Sequence, residues 1–330
     1  MSSTSALLGL PLELFEEAAT YLSSNDLKAL RHVSRACATK VGPYYAKIVH
    51  SSNSFTLRDE EDMRRGLMIA RHRLIGPALR KIKIQINETE DSKERKFVDR
   101  CDDAKMLTTF FDLLQNAGAK IQEVEVDGSS GWAARPGKQH RAAPQKGDCR
   151  GLMVVLRALV KTKLSPSSVR VRGTDWALPV CEMGKDGETM DHFRQVLKTV
   201  EKLDLQVTLS QESAVGVSTF VEAIGAAPRL TKLDVLVSDA TWPNAPLRRG
   251  PAFSSLLLGQ TMPQLERLVM QGGRVSLEKM VAFLKSRPQG RLQELRVMGV
   301  IITGAGKFQR PGGEPSETFR RVLESELPRI

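Results

Sequence analysis

The chain has 330 residues, 41% hydrophobic and 26% charged, the composition of a soluble protein with room for one large or two smaller domains. Its net charge of +11 would suit nucleic acid or an acidic surface. The excess is local, however: from Arg135 to Arg172 the basic residues stand against Asp148 alone, and 5% aromatic content is poor material for stacking bases. A solvated basic segment is the expectation, and binding of nucleic acid through residues 128–172 is the minor alternative.

The four cysteines, Cys37, Cys101, Cys149 and Cys181, form no CxxC pair, so no zinc or redox signature is present and a reducing compartment is implied. No basic leader precedes the first apolar run. The longest charge-free stretch, Gly250 to Leu265, is too short to span a bilayer. A cytoplasmic or nuclear protein without a membrane partner is expected.

In chain order, Leu10-Pro11 opens the first helix, since proline suits a first helical position. Leu10, Leu14, Phe15, Ala18, Tyr21 and Leu22 then follow at the spacing of one helix face. Ser23 and Asp26 have the spacing of a capping box and start a second helix with Leu27, Leu30 and Val33 on its apolar side. Ser34 can cap a third, carrying Cys37 and Val41, which Gly42-Pro43 is expected to stop. Three short helices in roughly 40 residues bury too little to form a self-sufficient core, so apolar surface should remain for a partner.

This pattern resembles the F-box. Leu10, Pro11, Glu13, Leu14, Tyr21, Leu22, Asp26, Leu27, Leu30, Val33 and Ser34 stand at the family's positions, while Ala36-Cys37 replace the bulky residue that often follows the Val-Ser pair. The resemblance implies docking on the Skp-type adaptor of a cullin–RING ubiquitin ligase through Leu10, Pro11, Leu14, Leu22, Asp26, Leu27, Leu30 and Val33. Leu27 and Leu30 are expected on the exposed apolar side. The F-box domain is placed at residues 8–48.

Residues 44–57 read as a helix tail and a linking strand, and Asp59 to His72 as a helix with Met63, Leu67 and Ala70 on one side. Leu79 to Ile86 alternates apolar and polar residues, the mark of a half-buried strand. It is the first of six segments with apolar residues at positions one, four and six, the others starting at Ile121, Val200, Leu230, Leu265 and Leu292. A seventh, Pro166-Val169-Val171, fits at the last two positions. This is the L-x-x-L-x-L core of a leucine-rich repeat.

Helical patterns precede most of these segments, at 105–117, 151–164, 190–199, 217–227 and 277–287. The alternation predicts parallel strands joined by helical crossovers, stacked as a solenoid. The interval is irregular: 42 residues from Ile82 to Val124, 45 from there to Val169, and 27 from Leu268 to Leu295. Regular repeats run about 20 to 29 residues. Glycines (Gly128, Gly173, Gly272) also follow some strands in place of the repeat's Asn. The fold class expected is α/β: a three-helix unit followed at 49–330 by an irregular leucine-rich-repeat-like solenoid with a parallel sheet. A non-repetitive α/β domain is the alternative. The whole arrangement resembles F-box proteins of fungal type with degenerate leucine-rich repeats. A flexible basic insertion is expected at 128–150, a loop at Trp242–Pro246, a helix at 253–258 and a capping helix at 317–327.

The histidines form no HxxxH or HExxH pair. Gly304-Ala305-Gly306-Lys307 lacks the first glycine and the hydroxyl residue of a phosphate loop, and no catalytic triad or dinucleotide fingerprint is present. The chain is therefore read as a non-enzyme without cofactor or metal, recruiting an unknown target protein to ubiquitination. A scaffold that holds the adaptor outside a ligase is the other class. Between the inward apolar positions, the strand residues facing out change sign along the array: basic at Lys81 and Lys83, acidic at Glu123 and Glu125, basic at Arg170, then mixed. Arg170, Lys202 and Lys232 are the residues assigned to holding an acidic or phosphorylated target segment.

Overall fold

The computed structural model describes residues 9–88, 102–130, 150–173, 178–208, 214–238, 253–288 and 290–303. Helix α1 (Leu12–Thr20) begins behind Pro11, which stands at the N-cap, and the Phe15 amide donates to the Pro11 carbonyl. Helix α2 (Ser24–Val33) opens with the complete capping box: the Asp26 amide donates to Ser23 Oγ at 3.2 Å, and the Ser23 amide donates to Asp26 Oδ2 at 3.1 Å. Ser34 Oγ likewise accepts from the Cys37 amide and starts α3 (Arg35–Val49). The stop expected at Gly42-Pro43 does not occur, and α3 runs through Pro43 to Val49. Proline costs a helix interior about 3 kcal/mol. Here that cost is offset by burial of Val41, Gly42 and Ala46 on one side of the helix. Gly42 is packed so closely that a Cβ would stand 3.2 Å from Leu74 Cδ1, which ties this helix to the next part of the chain.

Phe15, Ala19, Leu27 and Val41 form the small core of the three helices, with Leu10, Leu30, Tyr44 and Tyr45 packed against it. Lys40 lies over the Phe15 ring and donates to the Leu10 carbonyl, and the Arg31 guanidinium lies 4.3 Å from the centre of the Tyr45 ring. Leu27 is fully buried. Its expected place on the exposed side is therefore corrected: α2 turns Leu27 inward, because α1 and α3 both meet it there.

The rest of the chain is ordered by its strands: β1 (Ser52–Thr56), β2 (Lys81–Glu88), β3 (Glu123–Ser130), β4 (Ser168–Arg172), β5 (Leu178–Pro179), β6 (Lys202–Thr208), β7 (Lys232–Ser238), β8 (Arg267–Gln271), β9 (Arg274–Ser276), β10 (Glu294–Met298) and β11 (Ile301–Thr303). Among the described residues, one parallel sheet runs β1-β2-β3-β4-β6-β7-β8-β10, with β5 also on β6, and β9 pairs with β11. Each main strand lies beside the next one in the sequence. The fourth positions of the seven segments share one register: Ile82, Val124, Val169, Leu203, Leu233, Leu268 and Leu295 are successive partners. The first six are buried, while Leu295 on the last strand is half-buried.

Helices α4 (Glu60–Arg71), α5 (Asp102–Asn116), α6 (Arg150–Lys161), α8 (Gly187–Leu197), α9 (Ala214–Gly225) and α10 (Phe253–Leu257) pack each on the next, with the four-residue α7 (Val180–Met183) against α9. Their apolar sides join the inward strand residues in a single core. Phe193 of α8 stacks on Phe220 of α9 at 5.0 Å, and Phe253 of α10 follows at 6.3 Å. Helix α11 (Leu277–Lys285) closes this part, with Ser276 Oγ accepting from Lys279 N at its start.

The linking strand expected near residue 55 is β1, and it joins the sheet as its first member, pairing parallel with β2 and burying Phe55 beside Ile84. Its fourth-position equivalent is Asn53, so the apolar repeat could not reveal it. The excursion expected from Gly128 does not hold for residues 128–130, which pair with 86–88 in the sheet. Residues 131–149, the loop at 242–246 and the helix at 317–327 lie outside the described residues.

At the far end, the interval from Arg267 to Glu294 recurs from Gly272 to Gly299 and from Arg274 to Ile301, so two successive units share strand, glycine and second strand. Gly272 has φ +74°, and a Cβ there would stand 2.5 Å from the Val237 carbonyl oxygen. Gly118 has a similar φ of +75° with nothing within 4 Å. Gly118→Ala should therefore cost only the left-handed backbone term, about 1–2 kcal/mol, whereas Gly272→Ala should cost about 3 kcal/mol or more once the backbone collision is added. Urea denaturation of the two variants checks this, and equal losses would show that the chain around Gly272 yields freely.

Candidate interaction surfaces

Two surfaces collect the residues singled out by sequence. The first lies on the three helices. Phe15 and Ala19 turn to the small core, while Leu14 on α1 and Tyr21 and Leu22 just past its end stay exposed. Leu14 is 52% exposed, Tyr21 83%, Leu22 36%, and Val33 at the end of α2 is 64% exposed. Pro11 is exposed, and Leu10 and Leu30 are half-buried against the core. Asp26 is spent on the capping box, and its hydrogen bonds to the Ser23 hydroxyl and amide hold its carboxyl below the usual range. Of the residues assigned to docking, Pro11, Leu14, Leu22 and Val33 are thus solvent-facing, Leu10 and Leu30 partly so, and Leu27 is not. Large apolar side chains this exposed on so small a unit form a surface that water solvates poorly.

The second surface is the outward face of the sheet, where the alternating residues form rows across the strands. Lys81, Glu123, Ser168, Lys202, Lys232, Arg267 and Glu294 are successive partners in the first row, and Lys83, Glu125, Arg170, Asp204, Asp234, Val269 and Arg296 in the second. Neighbouring strands stand about 4.8 Å apart, within reach of ion pairing. Glu125 is held by Lys81 at 2.7 Å on one oxygen and by Lys83 at 3.1 Å on the other. Lys83 also reaches Asp127 at 2.6 Å. Burial pushes the Glu125 carboxyl up, but Lys81 and Lys83 outweigh it and the group lies below its ordinary value. The hydrogen bond to Glu125 raises Lys81, and the one to Asp127 raises Lys83.

Arg170 extends this ladder. It lies 3.5 Å from Glu123 and from Glu125, and 3.0 Å from Asp204, which Arg172 approaches at 2.6 Å. The sequence assigns it to a target, and in the fold its charge is already met by three carboxylates of its own sheet. Sequence reading missed this because the carboxylates come from strands distant in the chain. Farther along, Arg267 spans Asp234 at 3.3 Å and Glu294 at 3.2 Å, and Arg296 meets Glu294 at 2.5 Å. Lys202 and Lys232 are exposed and, among the described residues, ion-paired with none. The structure thus separates the three residues that sequence grouped: one belongs to the ladder, and two stand side by side outside it.

Among the described residues, no group of three His, Cys, Asp or Glu side chains could hold a metal ion, and no helix is long and apolar enough to cross a membrane.

The ladder predicts the pH dependence of stability. The Glu125 carboxyl lies below its ordinary value of 4.5 when folded, so its contribution is complete above that pH and lost as pH falls through the folded value. Lys81 and Lys83 lie above their ordinary 10.5, so theirs is complete below that pH and lost as pH rises through the folded values. Glu125→Gln should lower stability at pH 7 and shrink the fall as pH drops below 4.5. Urea midpoints against pH measure this, and an unchanged acid limb in the variant would refute it.

Comparison with known proteins assigns neither surface: the chain matches no family model and no curated protein.

Proposed function

We propose that the chain is the substrate-recognition subunit of a Skp–cullin–F-box ubiquitin ligase, acting in the cytoplasm or nucleus. In this reading residues 8–48 are an F-box, and residues 49–330 form a degenerate leucine-rich-repeat solenoid that holds the target. The exposed apolar side chains Leu14, Tyr21, Leu22 and Val33 carry the reading, because they stand at the motif's own positions and cover no other part of the described chain. The strand order and shared register of the fourth positions support the solenoid. The chemistry is proximity: adaptor at one end and target along the sheet bring target lysines near a ubiquitin-charged conjugating enzyme, and the rate gain comes from positioning. No catalytic residue of this chain takes part.

Three of the described basic residues of the 150–172 run are engaged within the chain, which reduces the charge available to nucleic acid, while Lys161 and Lys163 stay exposed. Arg170 and Arg172 belong to the ladder, and Arg157 meets Glu188 at 2.6 Å.

Leu14→Asp/Val33→Asp, both at exposed positions, should keep the fold and weaken adaptor binding by about 30-fold or more, the loss expected for hot-spot side chains. Leu27→Asp should instead unfold the three helices, since it places a charge in their core. Titration calorimetry with purified adaptor, beside circular dichroism of each variant, reads both. Undiminished adaptor binding by a folded Leu14→Asp/Val33→Asp variant would sink the assignment. Adaptor capture with no cullin in the reconstituted assembly would favour a scaffold outside the ligase.

A further inference from the structure

The cations on the outward face of the sheet are held in ion pairs, with one exception among the described residues. Lys81, Lys83, Arg170, Arg172, Arg267 and Arg296 each stand within 3.5 Å of a carboxylate on that face. Lys202 and Lys232 are direct partners on neighbouring strands and exposed, and neither is ion-paired with a described residue. The carboxylates around them are engaged elsewhere: Asp204 with Arg170 and Arg172, Asp234 with Arg267, and Glu201 with Arg229 at 2.8 Å. Like charges directly opposite on adjacent strands repel, and a shared counter-anion relieves that repulsion.

The same face shows what such an anion looks like. The single Glu125 carboxylate bridges two ammonium groups, one per oxygen. We infer that Lys202 and Lys232 form the docking point for a short acidic segment of a partner protein, with one Asp or Glu carboxylate bridging the two ammonium groups as Glu125 bridges Lys81 and Lys83. This rests on the proposed role of the sheet in holding a target and names the chemistry of that target.

The register also sets where the segment lies and how long its contact is. Asp204 and Asp234 occupy the next outward positions on the same two strands, so the first row, with its lysine pair, is the more favourable line for an acidic chain across the strands. There, Ser168 lies on one side of the lysine pair and Arg267 on the other, and acidic Glu123 and Glu294 flank that stretch. From Ser168 to Arg267 is three strand spacings, about 14 Å, which an extended peptide covers with about four residues. Contact should be limited to that length and should weaken with salt, as for any exposed charge pairing.

The test uses the full chain and a fluorescein-labelled peptide with a central Asp-Glu-Asp-Glu in a Gly-Ser frame. Three comparison probes are its Asn-Gln-Asn-Gln counterpart, a peptide with one phosphoserine in the same frame, and a single-stranded DNA 12-mer. Fluorescence anisotropy should show binding of the acidic peptide, at least tenfold weaker binding of the amide peptide, and a loss of at least tenfold in Lys202→Glu/Lys232→Glu. Equal affinity of the wild type and that variant, or no binding to the wild type at millimolar peptide, would overturn the inference. Tenfold preference for the phosphopeptide would replace the carboxylate as the ligand, and tenfold preference for the DNA would replace the protein partner; either overturns it. Adaptor binding by the same variant separates the two readings: it should be unchanged. Absence of adaptor binding in the wild type would count against the ligase role and leave the peptide result standing.

Discussion

The parallel register of the strands is the constraint on which the rest depends. One apolar residue per strand, from Ile82 through Val124, Val169, Leu203 and Leu233 to Leu268, stands beside its counterpart on the next strand. A slip of one residue in any pair would turn that strand's apolar set to water and its charges inward. Because the inward rows are aligned, the outward rows are aligned too. The ion-pair ladder and the side-by-side placement of Lys202 and Lys232 are thus consequences of how the core packs. Segment lengths between strands can then vary widely, since the crossovers must only return each strand to the same register.

The ladder shows how a basic protein can present a nearly balanced face. Lysines on β2, carboxylates on β3 and arginines on β4 alternate, so that each charge meets its opposite about 4.8 Å away. Exposed pairs of this kind contribute little singly, but Glu125 and Asp204 are mostly covered and each meets more than one cation. The charge order therefore favours the neighbours β2, β3 and β4 have, whereas β6 and β7 set like charges side by side at Lys202–Lys232 and Asp204–Asp234.

The three N-terminal helices work under the opposite condition. Their core contains few large side chains, and part of their apolar surface faces solvent. The Gly42–Leu74 contact couples them to the rest of the chain. A partner covering Leu14, Tyr21, Leu22 and Val33 would bury that surface and stabilise the folded helices by mass action. This is the physical sense in which the proposed adaptor role suits a unit that is small and incompletely covered.

Local chemistry was legible in the chain itself. The Ser23–Asp26 capping box and the Ser34 cap depend on contacts three residues apart, and the strands announce themselves by two-residue alternation; even the weak Pro166 segment takes its place in register. What needed the tertiary structure was every choice between faces and between distant partners. Leu27 and Val33 lie on the same short helix with similar chemistry, yet one is core and the other surface, because only the placement of α1 and α3 distinguishes them. Pro43 stays within a helix because buried neighbours outweigh its lost hydrogen bond. Strand β1 carries Asn53 at the repeat's fourth position and joins the sheet through backbone pairing and the single buried Phe55, which is too little apolar periodicity to mark it in the sequence. Arg170, Lys202 and Lys232 read alike as outward cations, and the sheet divides them by bringing carboxylates from far along the chain to the first and, among the described residues, pairing none with the other two. Sequence by itself therefore determined the elements and their inward faces, which follow from short-range periodicity. Tertiary structure alone decided which charges are spent and which remain, because ion pairing depends on distances that only the assembled sheet defines.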